Sequence, residues 1–251
     1  MNMQDHYVAA RLLPDRRRPD RERALARPAA RRRGHALALH RQGYLDLQPV
    51  DLRGLGQGAA GIGDTRPAQC TFAPGSFKNG QIGELEETPG LSAGAWQMRP
   101  LSRGYVEAKS NRPGEAPAIN PRYLSEEPDR RAIVGGLRLA RRIFAAPALK
   151  PFVQEESLPG MQVKTDDELL DYARRNGGTC YHASCTCMMG SHAMAVVDDE
   201  LKVHGLEGLR VIDASVMPAV TSTNTNAPTI IIAEKGAALI KGAAAQERLA
   251  A

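Results

Sequence analysis

Ser222-Thr223-Asn224-Thr225-Asn226-Ala227-Pro228-Thr229, followed by Ile230-Ile231-Ile232-Ala233-Glu234-Lys235, decides how the end of this chain folds. Small polar residues with two asparagines make a loop, and Pro228 suits the first turn of a helix, where its missing N–H is not needed. The spacing predicts a last helix from about Pro228 into the 240s. Upstream, Asp213-Ala214-Ser215-Val216-Met217-Pro218 leaves an apolar run at about Leu209 to Ile212, which reads as a strand, as do Thr179 to Ala183 and Ala195 to Val197.

Further out the chain alternates helix and strand signals. Thr165-Asp166-Asp167-Glu168 is a capping box, Leu169, Leu170 and Tyr172 continue its apolar face, and Gly177 is expected to end that helix in the left-handed conformation. Ser125 precedes another helix start, and Ile133, Leu137, Ala140 and Phe144 recur with helical spacing to about Ala146. Before it, TFAPGSF (71–77), Ala93 to Met98 and Gly104 to Ala108 are short apolar or alternating runs bounded by Pro, Gly and Ser, the pattern of an antiparallel sheet.

Composition bounds the class. The chain has 251 residues, 42% hydrophobic and 24% charged, so wholesale disorder and a disulfide-stapled miniprotein are excluded. The most apolar segment, Ala227 to Ile240, is interrupted by Glu234 and Lys235 and falls short of the roughly 20 apolar residues of a bilayer span. The first residues, MNMQDHYVAARLL, show no signal-peptide pattern, and a cytoplasmic address is the default expectation. Cys70, Cys180, Cys185 and Cys187 are expected to be reduced thiols; C-x4-C-x-C is not a usual zinc spacing, and no metal site is expected.

The net charge of +5 lies wholly in residues 1–65, which hold 12 Arg, 7 acidic residues and no lysine. The arginines come in runs, Arg16 to Arg18 and Arg31 to Arg33, and glycines follow from Gly54 to Gly63. No apolar periodicity is sustained, so residues 10–65 read as poorly structured. Three readings compete for this interval: a basic arm for an anionic partner, a solvated linker, and a GC-rich gene translated out of frame.

The chemically dense part is Tyr181-His182-Ala183-Ser184-Cys185-Thr186-Cys187-Met188-Met189-Gly190, together with the two C-terminal stretches quoted first. With Val203-His204-Gly205-Leu206-Glu207-Gly208-Leu209-Arg210 between them, these stretches resemble the C-terminal signature of the glucose–methanol–choline oxidoreductases, in their choline-dehydrogenase-like branch. Arg99 to Gly104, Ala116 to Leu124 and Thr165 to Leu170 are similar to the substrate-binding domain of that branch, and Asn2 to Tyr7 to the segment entering it. The likeness covers residues 1 to about 8 and 70 to 242 and resumes in register after the Arg-rich interval, which favours the out-of-frame reading.

The resemblance implies an α+β fold: an antiparallel sheet with packed helices, plus the last strands and helix of a divided FAD domain whose N-terminal Rossmann half is absent here. It divides the chain into 1–9, the interval 10–65, a substrate-binding domain at 66–176, a catalytic and FAD-contacting segment at 177–243, and a tail at 244–251. It further implies that His182 is the general base for a substrate hydroxyl, a role that suits an imidazole with a reference pKa near 6.5, and that Asn224 pairs with it across the alcohol. Asp213 and Ala214 are expected beside the ribityl and pyrophosphate part of FAD. Asn226, Ala227, Pro228 and Thr229 are expected beside the pyrimidine end of the ring, where a helix N-terminus favours negative charge.

Cys185, Cys187 and Met188 are expected to pack, although Met188 stands where that branch usually has a basic residue; Cys180 reads as core. The Gly56-Gln57-Gly58-Ala59-Ala60-Gly61 run formally satisfies G-x-G-x-x-G, but it follows no convincing strand and opens no helix. Two functions follow as expectations. One is FAD-dependent oxidation of a small alcohol, with an upstream polypeptide carrying the Rossmann half. The other is a non-enzymatic remnant or binding module with a basic arm. No nucleic-acid partner and no transmembrane segment are expected.

Overall fold

The computed structural model describes residues 2–14, 52–57, 67–73, 90–151 and 155–250, with side chains described to residue 242 at the C-terminal end. The elements are β1 (Tyr7–Pro14), β2 (Leu52–Gln57), β3 (Pro67–Ala73), β4 (Gly90–Gln97), β5 (Tyr105–Glu107), β6 (Ala118–Asn120), α1 (Glu127–Phe144), α2 (Asp166–Asn176), β7 (Gly178–Thr179), a 3-10 helix at Ala214–Val216 and α3 (Asn226–Ala250). Two compact units interleave along the chain. One comprises Met1–His6, Met98–Glu126 and Thr179–Ala251, and the other Tyr7–Gln97 and Glu127–Gly178.

The second unit is sheet plus helix. The strands run in the order β2-β3-β4-β1-β7, with antiparallel pairing of β1 to β4 (Val8 opposite Trp96), β3 to β4 (Phe72 opposite Ala93) and β2 to β3 (Cys70 opposite Gly54). Because side chains alternate along a strand, Leu91 and Ala93 share a face, and it is this face that α1 covers with Ala140 and Phe144. Ile133, Leu137, Ala140 and Phe144 are all buried, as their spacing requires. Each such side chain contributes on the order of 1.5–3 kcal/mol for full burial of a large residue.

The capping box of α2 forms: Thr165 Oγ1 accepts the N–H of Glu168 at 3.2 Å, and the Glu168 carboxylate accepts the N–H of Thr165 at 2.8 Å. Gly177 ends the helix, but not in the left-handed conformation expected of it. Its φ is −86° and ψ 171°, extended backbone open to any residue, while its N–H still bonds the Ala173 carbonyl at 2.8 Å. The glycine is required by space instead, because a Cβ there would lie 2.5 Å from the Tyr7 hydroxyl and 2.7 Å from the Ala173 oxygen.

Residues 10–14 and 52–57 lie within the interval read as poorly structured, yet they belong to β1 and β2. Main-chain pairing supplies the order there, and it needs no apolar periodicity. The rest of that interval, the arginine runs and most of the glycine run included, lies outside the described residues.

The first unit has little regular structure. The strands expected at 179–183, 195–197 and 209–212 are not strands, apart from Thr179 in β7. They are isolated bridges, among them Gln4 to Ser184, Met189 to Val197, Val197 to Val203 and Lys202 to Arg210. A buried knot of Val197, Leu201 and Val216 is the reason: turns converge on it from several directions, and each leaves after one or two pairings. The helix α3 packs onto this knot with Ile232 and Leu239. It comes so close that a Cβ on Gly236 would lie 2.4 Å from the Ile212 side chain. A two-stranded hairpin, β5 with β6, completes the unit.

No helix among the described residues is long and apolar enough to cross a membrane.

Candidate functional site

His182 sits on a turn that the backbone resists. Tyr181 has φ +60° and Cys185 φ +71°, left-handed values that cost a non-glycine residue free energy and persist only where surroundings enforce them. The N-terminal tripeptide does the enforcing. The backbone of Gln4 exchanges two hydrogen bonds with Ser184, at 3.0 and 2.9 Å, and the His6 carbonyl takes the N–H of Cys180 at 2.9 Å. The side chain of Gln4, almost fully buried, accepts the N–H of Val220 at 2.9 Å and donates to the Pro100 carbonyl at 2.5 Å. It thereby ties the loop that leads to Asn224.

The hydrogen-bond directions then fix the protonation of two rings. The Nε2 of His6 lies 3.1 Å from the Met98 carbonyl, which can only accept, so this nitrogen carries the His6 proton. The Nδ1 of neutral His6 is therefore an acceptor, and it lies 2.9 Å from Nδ1 of His182, which must be the donor. His182 is left with an unprotonated Nε2, and the Asn224 amide nitrogen stands 3.2 Å from it with N–H bonds to give. The result is one line of donors, Asn224 to His182 to His6 to the Met98 carbonyl. The rings meet edge to face, 5.0 Å between centroids at 88°. Burial lowers the pKa of His6 most, against smaller opposing effects of the Met98 bond and the Asp5 charge, and so keeps it neutral.

The other residues singled out in the sequence fall in the same unit. Asp213 caps the 3-10 helix, its carboxylate accepting the N–H of Ser215 at 2.7 Å. Ala214 and its neighbours are fastened to the His182 segment by bonds from Cys185 N–H to the Ala214 carbonyl (3.3 Å) and from Cys187 N–H to the Ser215 carbonyl (2.9 Å). Asn226 to Thr229 form the first turn of α3, where helix geometry leaves N–H groups without intrahelical acceptors. Asn226 and Ala227 are exposed.

All four cysteines are free thiols, and burial raises the pKa of Cys70, Cys180 and Cys185, so none of these three is a ready nucleophile. Met188 takes a contact from the Asn2 amide at 2.9 Å. No three His, Cys, Asp or Glu side chains converge as a metal site among the described residues.

The family model described as GMC oxidoreductase matches residues 100–233. The chain belongs to the GMC oxidoreductase family. Among its relatives is the oxygen-dependent choline dehydrogenase of Pseudomonas fluorescens (strain SBW25), 45% identical over 175 residues, which are 69% of this chain and 30% of that protein. The enzyme of the same name from strain Pf0-1 is 44% identical over 191 residues, 73% of this chain and 33% of that protein. The chain thus spans about a third of the length of the curated relatives it matches.

Two solved structures share the fold. A formate oxidase variant of Aspergillus oryzae RIB40, studied for FAD modification, superposes with a TM-score of 0.82 at 22% identity, over 96% of this chain and 47% of that one. Pyridoxine 4-oxidase from Mesorbium loti gives 0.75 at 24% identity, over 94% and 42%. The antiparallel sheet with packed helices is therefore that of the C-terminal portion of this family.

The family resemblance pointed to His182 and Asn224, which the fold brings into contact. Gln4, Asp5 and His6 lie in the stretch that resembles the segment entering the substrate domain, but the resemblance gives them no role, and neither Met98 nor Thr179 is singled out. His6 lies 176 positions from His182, and no spacing rule links positions so far apart.

Proposed function

We propose that this chain is the proton-accepting, substrate-side portion of an FAD-dependent enzyme that oxidises choline or another small primary alcohol, completed by an upstream polypeptide carrying the Rossmann half. The observation that carries the reading is the line of donors ending on His182, which leaves an imidazole lone pair at Nε2 beside an amide N–H. An alcohol hydroxyl placed there gives its proton to Nε2 of His182, a transfer worth typically 10²–10⁴ in rate. As the proton leaves, the oxygen gains negative charge, and the Asn224 N–H can donate to it. The Nδ1–H of His182 stays donated to Nδ1 of His6, so the ring keeps its orientation as it becomes an imidazolium.

The first turn of α3 fits one end of a flavin. Asn226 and Ala227 are exposed, Ala227 and Pro228 add no bulky side chain, and the helix N-terminus favours an anionic ring edge. Asn226, Ala227, Pro228 and Thr229 would hold the pyrimidine end, with Asp213 and Ala214 beside the ribityl chain. When bound, FAD supplies the acceptor for the hydride from the alcohol carbon. A cradle for the remainder of the dinucleotide is assigned to the upstream polypeptide, in keeping with the share of the relatives' length that this chain spans. That polypeptide would also cover Ile230, Ile231 and Ile240, which α3 exposes at 53%, 68% and 48%.

The test combines the full chain with FAD and with the segment of the Pseudomonas fluorescens choline dehydrogenase that precedes the matched region. A flavin band retained after desalting, bleached anaerobically by choline, and not bleached in His182→Ala, is the expected result. A retained band that no alcohol bleaches would overturn the reading.

A further inference from the structure

Asp5 is buried at the centre of the turn that presents His182. Its Oδ1 accepts the backbone N–H of His182 at 2.9 Å, and its Oδ2 accepts the Thr179 hydroxyl at 2.5 Å and the Tyr123 hydroxyl. Thr179 Oγ1 in turn accepts the N–H of Tyr181 at 2.8 Å, while its own hydroxyl donates to Asp5. Every partner donates and none needs a proton from the carboxyl group, which is the hydrogen-bonding state of an ionised carboxylate. All three donors are neutral, and a buried charge is costly unless an opposite charge or a network compensates it.

The titratable groups facing Asp5 can be enumerated. From the 98–126 segment comes Tyr123, whose hydroxyl burial and the Asp5 bond both push up and keep protonated. From the 179–185 turn come Cys180, pushed up by burial and then by the charge of Asp5, and His182 itself. From its own segment comes His6, its neighbour in sequence. Arg103 is occupied with the Asn2 side chain at 3.0 Å and lies toward Cys185. Among the described residues that face Asp5, the two imidazoles are the groups that can carry a compensating positive charge.

We infer that Asp5 is the counter-charge of the His6–His182 pair, a positioning residue that favours one imidazolium charge within the two rings joined through their Nδ1 atoms. The pair then takes up one proton as a unit, beside a negative charge that is fixed before the substrate arrives. Asp5 acts through the imidazoles and touches no substrate. The inference rests on the reading of His182 as the base, but its test needs neither cofactor nor turnover.

The test is a pH titration of the full chain labelled with ¹⁵N-histidine, compared with Asp5→Asn. This variant keeps the shape and an acceptor for the His182 N–H while removing the charge. The midpoint of the His6–His182 pair is expected to fall by about 1–3 pH units, the usual effect of losing an opposite charge at close range. Exposed His192 and His204 should not move. An unchanged pair midpoint in a folded Asp5→Asn variant overturns the inference.

Should that variant not fold, the Asp5 ¹³Cγ signal of the unsubstituted chain decides. It must step at the histidine midpoint, and a signal that ignores that midpoint overturns the inference. A shifted pair in a completed assembly that reduces no flavin would refute the proposed activity and leave the counter-charge standing.

Discussion

Asn224 owes its place to a loop held from below by Gln4, and its amide nitrogen lies 3.2 Å from Nε2 of His182. Replacing it by alanine leaves the base in place and removes the donor to the developing alkoxide, so anaerobic flavin reduction in the completed assembly should slow about 10²–10³-fold. A rate within twofold of the parent would remove Asn224 from the reaction. His6 adds a stability prediction. Its folded pKa lies below the unfolded value near 6.5, so below that pH the unfolded chain binds a proton that the folded chain refuses. This contribution is complete above about 6.5 and is lost as pH falls through the lower folded value. Urea midpoints followed against pH should show that loss in the parent and a shallower one in His6→Leu, whatever its absolute stability. The sequence made His182 and Asn224 legible because their flanking residues carry the family pattern, whereas His6 shows its role only through a donor line closed in three dimensions.

Helices were the most legible elements, since their signals are local: the Thr165–Glu168 box and the Ile133, Leu137, Ala140, Phe144 stripe appear where their spacing put them. Thr165→Ala removes the acceptor for the Glu168 N–H and should cost about 1 kcal/mol, read as a lowered urea midpoint at unchanged slope. The short apolar runs at 195–197 and 209–212 misled because a buried strand and a turn around a buried residue have the same composition. Val197 is fully buried while pairing with Met189 on one side and Val203 on the other, one residue each. The glycine in α3 gives the sharper test at this scale. Gly→Ala in a helix ordinarily gains roughly 0.5–1 kcal/mol from propensity, but at Gly236 the added methyl would lie 2.4 Å from Ile212 Cγ2. Overpacking typically costs about 1–3 kcal/mol, which outweighs the gain, so Gly236→Ala should lower the midpoint. A raised midpoint would mean that α3 does not pack on Ile212.

At the scale of the molecule, the chain passes between the two units after His6, Gln97, Glu126 and Gly178, and His6, Met98, Thr179 and His182 all belong to the first unit. Within that unit the His6 ring and the Met98 carbonyl are bonded at 3.1 Å. β7 lies next to β1 in the sheet, so Thr179 and the His182 turn emerge beside His6. One tripeptide before the first strand can therefore hold a turn far along the sequence. The same unit turns one face of α3 inward through Ile232, Gly236 and Leu239 and leaves Ile230, Ile231 and Ile240 outward. An apolar side chain releases roughly 1.5–3 kcal/mol when fully buried, so this outward row is a surface with stabilisation in reserve. Ile231→Glu separates its two possible roles. If the row serves a partner, the substitution should leave the chain's thermal midpoint unchanged, since exposed positions typically vary within about 0.5 kcal/mol. It should also reduce self-association in sizing chromatography and weaken assembly with the upstream polypeptide at least about tenfold, because a carboxylate would have to be desolvated in the contact. A lowered thermal midpoint with undiminished assembly would show instead that Ile231 belongs to the chain's own core.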